Sequence, residues 1–310
     1  MIKIVFAGTG DFSAKYLEEI IQDGRFSVSA IISQEDKKIG RKQILTETET
    51  KKIGKKYGIP VFQPEKKSEI TEILKNEKPD FFVVVAYGKI LPKESLEIAK
   101  FNINAHGSIL PKYRGASPIQ SAILNGDSET GISTMNLEEK MDAGAVWNIH
   151  KCKIEKFDTT EKIFEKMKGF AKNFCDDLGK IFKGELKPQK QDENLATYCK
   201  KISKEDGKIN FEKESSKEIL QKLNAFTPWP GVFCYFGEKK LKILKASFDK
   251  KCEKNHIKKP GKVIVIDKKI FINTIHGFLE ILEVQLEGKK AQKISDFING
   301  NQNFIGTTLT

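Results

Sequence analysis

Along the first two hundred residues the apolar positions switch between two periods. Residues 2–7 and 27–33 are short runs of β-branched and apolar side chains, and between them Ala14, Leu17, Ile20 and Ile21 recur at helical spacing. This pattern predicts a strand, a helix and a second strand. Further strands are expected at 80–86 and 101–106, and helical patterns fall at 68–76 and 159–182. The run Phe81-Phe82-Val83-Val84-Val85-Ala86 is apolar at every position, which suits a strand covered on both faces. The expected architecture is therefore α/β, with a Rossmann-like, mostly parallel sheet flanked by helices. Ligands of such sheets lie beyond the carboxyl ends of the strands, where Gly8, Tyr87 and His106 all fall.

The pattern changes after Gly184. Gly184-Glu185-Leu186-Lys187-Pro188 and the polar residues up to Asn194 read as a linker, placed at 185–206. Strand-like runs then recur at 208–211, 231–236, 239–247, 261–266, 269–274 and 277–286, the signature of a small β-barrel. One domain is expected over 1–184 and a second over 207–310. A chain of 310 residues is long enough to bury both cores. Pro228-Trp229-Pro230 reads as a packed anchor of the second domain, and His150, His256 and His276 read as surface or edge histidines.

Charge narrows the partners. A net charge of +12 favours nucleic acid over a membrane surface or acidic substrates, against the alternative of a general lysine bias. Residues 34–57 carry Lys37, Lys38, Arg41, Lys42, Lys51, Lys52, Lys55 and Lys56 and read as a long polar loop, either working on a partner or simply solvated. The five cysteines are scattered, odd in number and without a C-x-x-C pair, which argues for reduced thiols and against a disulfide frame or a metal site. The chain opens at once on a strand-like run, and no stretch approaches membrane-spanning length. A cytoplasmic location without membrane association is expected.

The candidate chemistry lies between Ile103 and Gly144. Asn104 and His106 stand two apart at the end of an expected strand, so their side chains share one face. An amide and an imidazole together can hold an oxygen that becomes negative. Asp142, in Met141-Asp142-Ala143-Gly144, would accept a proton directly or through water, or would orient and charge-stabilise His106. No Ser or Cys is placed as a nucleophile, so the set points to group transfer by direct attack of one substrate on another. Taken alone, an Asn-x-His pair is also compatible with a satisfied polar strand edge. Gly8-Thr9-Gly10 raises a rival, the dinucleotide fingerprint, but the third glycine position holds Ser13.

Asn104-Ala105-His106-Gly107-Ser108-Ile109-Leu110-Pro111, Tyr113-Arg114-Gly115-Ala116-Ser117-Pro118-Ile119-Gln120 and Asp142-Ala143-Gly144 resemble the formyltetrahydrofolate-dependent formyltransferases. The likeness extends to Val83-Val84-Val85-Ala86-Tyr87-Gly88-Lys89-Ile90-Leu91-Pro92 and Ala225-Phe226-Thr227-Pro228-Trp229-Pro230, and is strongest with the branch that acts on methionyl-tRNA. It implies Asn104, His106 and Asp142 as catalytic residues and 10-formyltetrahydrofolate as co-substrate. It maps folate contacts to Ser108, Ile109, Leu110 and Pro111 and to a loop carrying Tyr87, Gly88, Ile90 and Leu91. It implies a monomer whose initiator methionyl-tRNA is met by Arg41 with Lys37, Lys38 and Lys42, and a C-terminal barrel similar to an OB fold with a lysine-rich face (Lys239, Lys240, Lys242, Lys245, Lys250, Lys251, Lys254, Lys258 and Lys259). Arg114 would hold the folate's acidic tail or brace its loop. Other members of the superfamily formylate a sugar-nucleotide amine or a purine precursor, and a binding module with a vestigial pocket is the non-enzymatic alternative. Gly10 departs from the family's usual Gly-Thr-Pro, and Gln43 to Thr50 from its usual basic continuation.

Overall fold

The structure, a computed structural model, describes residues 1–40, 42–248 and 259–310. Two compact units emerge. The first comprises Met1–Pro118, Glu129–Lys153 and Phe164–Cys199, and the second Ile119–Ser128, Ile154–Ile163 and Lys200–Thr310. The stretch 185–206 is thus divided, its residues up to Cys199 packing with the first unit.

In chain order the first half runs β1 (Ile2–Gly8), α1 (Asp11–Gln22), β2 (Phe26–Ile32), β3 (Lys37–Ile39), β4 (Ile44–Thr46), α2 (Glu49–Tyr57), β5 (Val61–Phe62), α3 (Lys67–Glu77), β6 (Phe81–Val85) and β7 (Phe101–His106). It continues with β8 (Arg114–Gly115), α4 (Pro118–Leu124), β9 (Glu129–Asn136), β10 (Val146–Lys153), α5 (Thr160–Lys168), α6 (Ala171–Lys183) and β11 (Tyr198–Cys199). Seven strands form one sheet in the order β10-β9-β7-β6-β1-β2-β5. The five strands from β5 to β7 are parallel, and β9 and β10 add antiparallel pairs at one side. Every residue of β6 is buried, as an apolar run flanked by two strands requires. Chain direction across the sheet reverses its order at β1 and β6, so the open crevice lies where Gly8, the loop after Val85 and His106 come to their ends. Gly8 is needed there for closeness, since a Cβ would stand 2.7 Å from that of Ser13 and 2.9 Å from the Val85 carbonyl oxygen.

The polar stretch 34–57 is not a loop. It holds the β3–β4 hairpin and then α2, whose first turn is capped by the Thr48 hydroxyl accepting from the Lys51 amide at 3.3 Å. Hydroxyls replace the missing apolar face: Thr50 Oγ1 donates to the Gly8 carbonyl at 2.9 Å, and Ser33 Oγ bonds those of Thr48 and Thr50. The helical pattern at 159–182 is two helices, α5 and α6, with the break at Gly169 and Phe170. His150 is a true edge-strand residue of β10, but it is paired, its Nε2 lying 2.7 Å from the buried carboxylate of Asp177.

The second unit carries α7 (Ser216–Ala225), β12 (Val232–Phe236), β13 (Lys239–Phe248), β14 (Val263–Ile266), β15 (Lys269–Asn273), β16 (Phe278–Leu286), β17 (Gln292–Lys293) and α8 (Ile294–Asn299). The antiparallel strands follow the order β12-β13-β16-β15-β14. The C-terminal residues close this sheet into a barrel. Val263 donates to the Thr307 carbonyl and Leu309 to that of Gly261, each at 2.9 Å, while Thr310 and Tyr235 exchange backbone hydrogen bonds. These bonds engage both edge strands, β12 at Tyr235 and β14 at Val263. Residues 208–211 are not a strand; a 3₁₀ turn precedes them and only Lys208 bridges, to Phe233, while Ile209 and Phe211 are buried. Trp229 is not a packed anchor either, being 51% exposed.

Candidate active site

The site is built at the ends of β7 and β6. Pairing of β7 with β6 sets Asn104 beside Val84, and pairing with β9 sets His106 beside Ser133. Asn104 is half-buried, and among the described residues its side-chain amide has no hydrogen-bond partner. Both its N–H groups are therefore available to a ligand. His106 is buried, with Nε2 3.0 Å from the Tyr113 carbonyl oxygen. A carbonyl can only accept, so that nitrogen carries the proton and a neutral ring presents a lone pair at Nδ1.

Asp142 approaches from the turn after β9. Its Oδ2 lies 3.6 Å from His106 Nδ1 and accepts the Gly115 amide at 2.8 Å. The carboxylate is 15% exposed, and its backbone is held at φ 49°. Amide and imidazole thus lie on one strand face, and the carboxylate faces the ring. A proton arriving at Nδ1 would create an imidazolium whose charge Asp142 offsets.

The segment after His106 is folded by hydroxyls. Ser133 Oγ donates to the Ser108 carbonyl at 2.7 Å and accepts the Leu110 amide at 3.1 Å, while Ser108 Oγ donates to the Lys112 carbonyl at 2.6 Å. Ser108 is fully buried and engaged in this way, whereas Ile109 and Pro111 keep part of their surface in solvent. Tyr87 is likewise buried, packed among Val5, Ala30, Ile70 and Leu74. Its carbonyl, however, is fixed by the Gln34 amide at 2.6 Å and the Thr9 hydroxyl at 3.1 Å. Gly88 follows at φ 78°, then Ile90, 68% exposed, and half-buried Leu91. Met141, beside Asp142, is 58% exposed. Exposed apolar side chains on this loop and a half-buried Asn104 amide suit a flat heteroaromatic ligand that also offers a carbonyl.

Lys37 and Lys38 lie on the β3–β4 hairpin and Lys42 in its turn, all exposed, and Lys37 Nζ donates to Gln34 Oε1 at 2.9 Å. Arg41 lies outside the described residues, as do Lys250, Lys251, Lys254, Lys258 and His256. Arg114 braces: it is 0% exposed and spends its guanidinium on Gln191 and Glu193. These bonds, with Lys140, hold the Glu193 carboxyl down to about 2. Among the described residues no group of His, Cys, Asp and Glu could hold a metal ion, and no helix is long and apolar enough to cross a membrane. Sequence reasoning missed the Tyr113 carbonyl and the Gly115 amide, because backbone groups leave no side-chain signal.

Comparison with known proteins shows the family. Residues 2–176 match the formyl transferase family and residues 201–302 the formyl transferase C-terminal domain. The chain is 42% identical over 314 residues to a methionyl-tRNA formyltransferase of Campylobacter lari, covering the whole of both. An N-formyltransferase of Helicobacter canadensis, solved with folinic acid and dTDP-3-aminofucose, shares the fold at TM-score 0.67 and 21% identity, over 91% of this chain and 98% of that one. HypX of Aquifex aeolicus, solved with tetrahydrofolic acid, gives TM-score 0.65 at 17% identity over 98% of this chain; the chain spans only 48% of that longer protein. With family models matched over both halves and a relative 42% identical end to end, the chain belongs to the formyl transferase family.

Proposed function

We propose that the chain transfers a formyl group from 10-formyltetrahydrofolate to the free amino group of the methionine carried by initiator tRNA, giving N-formylmethionyl-tRNA. The observation that carries this reading is the Asp142 carboxylate 3.6 Å from the His106 ring, with the Asn104 amide on the same face of the same strand. The full-length likeness to a methionyl-tRNA formyltransferase supports the acceptor.

The co-substrate supplies a formyl group already activated for attack by an amine. Asn104 Nδ2–H donates to the formyl oxygen as it gains negative charge, a role suited to an amide with no other partner among the described residues. His106 Nδ1, with Nε2–H committed to Tyr113, accepts the proton released by the attacking amine, and Asp142 stabilises the resulting imidazolium. As the tetrahedral carbon collapses, its bond to the folate N10 breaks and the imidazolium returns that proton to N10, so tetrahydrofolate leaves neutral and the ring is restored. This refines the expectation from sequence that His106 donates to the oxygen: a neutral ring has no second donor to give. Ile109, Leu110, Pro111, Gly88, Ile90 and Leu91 line the folate side. Ser108 and Tyr87 shape it through their backbones, since both side chains are buried within the protein.

The hairpin lysines 37, 38 and 42 with Arg41, and the lysine-rich face of the barrel domain, attract the tRNA backbone. That attraction is sequence-independent and weakens with salt. In domain terms, the first unit, which runs on to Cys199, performs the chemistry and the C-terminal unit binds tRNA, and the chain works as a cytoplasmic monomer. The test is an acceptor comparison with 10-formyltetrahydrofolate as donor: methionyl-initiator tRNA against a nucleotide-linked amino sugar. Transfer to the tRNA alone is expected; transfer to the sugar alone, or to neither, defeats the reading.

A further inference from the structure

The stretch between the two matched family segments turns back onto the site. Gln189 and Val146 exchange two backbone hydrogen bonds at 2.8 Å, laying the strand start of β10 along it. Further on, Thr197 accepts the Arg114 amide at 2.8 Å through its carbonyl and the Tyr113 amide at 2.9 Å through its hydroxyl. Cys199 then pairs with Gly115 across β11 and β8. Residues 189–199 therefore run beside both backbone groups that touch the catalytic set, the Tyr113 carbonyl and the Gly115 amide.

At the centre of this strap is Gln191, buried, with both ends of its amide spent. Its Nε2 donates to the carbonyls of Asp142 at 2.8 Å and of Gly144 at 2.7 Å. Its Oε1 accepts Arg114 Nε at 3.0 Å and Nη2 at 2.9 Å. The turn it grips holds Asp142 at φ 49°, in the left-handed region that a residue with a Cβ leaves unless held. Only a primary amide of this length meets both demands, since the guanidinium needs an acceptor and the two carbonyls need donors. Arg114 in turn is anchored on Glu193, which also takes Lys140 at 2.7 Å. One carboxylate, shared by two cations, thus anchors the guanidinium that holds the amide.

We propose that Gln191 is a positioning residue for formyl transfer: by bridging Arg114 to the carbonyls of Asp142 and Gly144 it holds the Asp142 carboxylate against His106 and the Gly115 amide. This rests on the reaction proposed above, and the test separates the two. Gln191→Glu keeps the acceptor for Arg114 but sets a carboxylate against two carbonyls; Gln191→Ala removes both functions. Turnover with methionyl-initiator tRNA and 10-formyltetrahydrofolate is measured alongside hydrogen exchange of the Gly115 amide in the free chain, resolved by NMR.

Both variants are expected to lose about a hundredfold in kcat, the usual effect of a misplaced catalytic group, with each KM changed less than about threefold. The Gly115 amide is expected to exchange about tenfold faster or more, since its partner is the carboxylate that moves. Wild-type kcat in Gln191→Glu overturns the proposal, and so does a fall in kcat with Gly115 as protected as before. Should Gln191→Ala fail to fold, Gln191→Glu decides alone, because Arg114 keeps its partner. A wild-type chain that transfers no formyl group, with Gly115 deprotected in Gln191→Glu, would leave the hold on Asp142 standing and defeat the assigned reaction instead.

Discussion

His106 Nε2 lies 3.0 Å from the carbonyl oxygen of Tyr113, a residue whose own backbone sits at φ 61°. This one bond fixes which ring nitrogen can do chemistry. The carbonyl takes a proton-bearing nitrogen and nothing else, so the lone pair of the neutral ring is turned toward Asp142. Nitrogen NMR of the imidazole should find neutral His106 as the Nε2–H tautomer. The opposite tautomer would return His106 to the role of donor to the oxygen.

Gly144 is closed to any side chain. A Cβ there would stand 2.0 Å from the Asn136 carbonyl oxygen, a backbone atom that cannot step aside. Gly144→Ala should therefore cost about 1–3 kcal/mol. Because the turn must open to relieve the clash, turnover should fall with it. Thermal unfolding read beside initial rates checks both, and a stable, active variant would show that the turn tolerates movement.

Stability at low pH should carry the mark of Glu193. Hydrogen bonds from Arg114, then Lys140, hold its carboxyl from the ordinary 4.5 down to about 2. A carboxyl depressed on folding adds stability above its unfolded value, and loses it as pH falls toward the folded one. The stability gap between wild type and Glu193→Gln should thus be full at neutral pH and narrow steadily below about 4.5. Denaturation midpoints across that range measure it; a gap constant down to acid pH would mean that the carboxylate is not in the network.

The first turn offers a gain. Gly10 precedes α1 at φ −89° with nothing within 4 Å of where a Cβ would be, so no positive φ and no crowding demand glycine. Gly10→Pro should stabilise the chain by about 0.4–1 kcal/mol by restricting the unfolded state. Chemical denaturation at equal slope reports it, and a loss of stability would show that the Gly10 backbone needs freedom the ring denies.

Much of this could be read from residue patterns, and the exceptions have physical causes. The buried run of β6 and the shared face of Asn104 and His106 follow from strand period alone. The approach of Asp142 does not, because it depends on the antiparallel turn between β9 and β10, and only family resemblance pointed to it. Helix α2 was hidden because its inward face is Thr50 and Gly54, held by hydroxyl bonds and not by an apolar stripe. The β3–β4 hairpin was hidden because each strand is only three residues long and lysines fill the first two positions of β3. Gln191 looked like one more polar residue in a connecting stretch; its meaning lies in carbonyls distant in sequence, which no local pattern encodes.

The most direct test of the account is the rate of formyl transfer to methionyl-initiator tRNA by Asn104→Ala, His106→Ala and Asp142→Ala chains beside wild type, at saturating substrates. Loss of an oxyanion donor or of a general base costs about a hundredfold or more each. Asn104→Ala should show that loss with unfolding unchanged, since its amide bonds nothing among the described residues. Near-normal rates in Asn104→Ala or Asp142→Ala would contradict the assignment of chemistry to this trio.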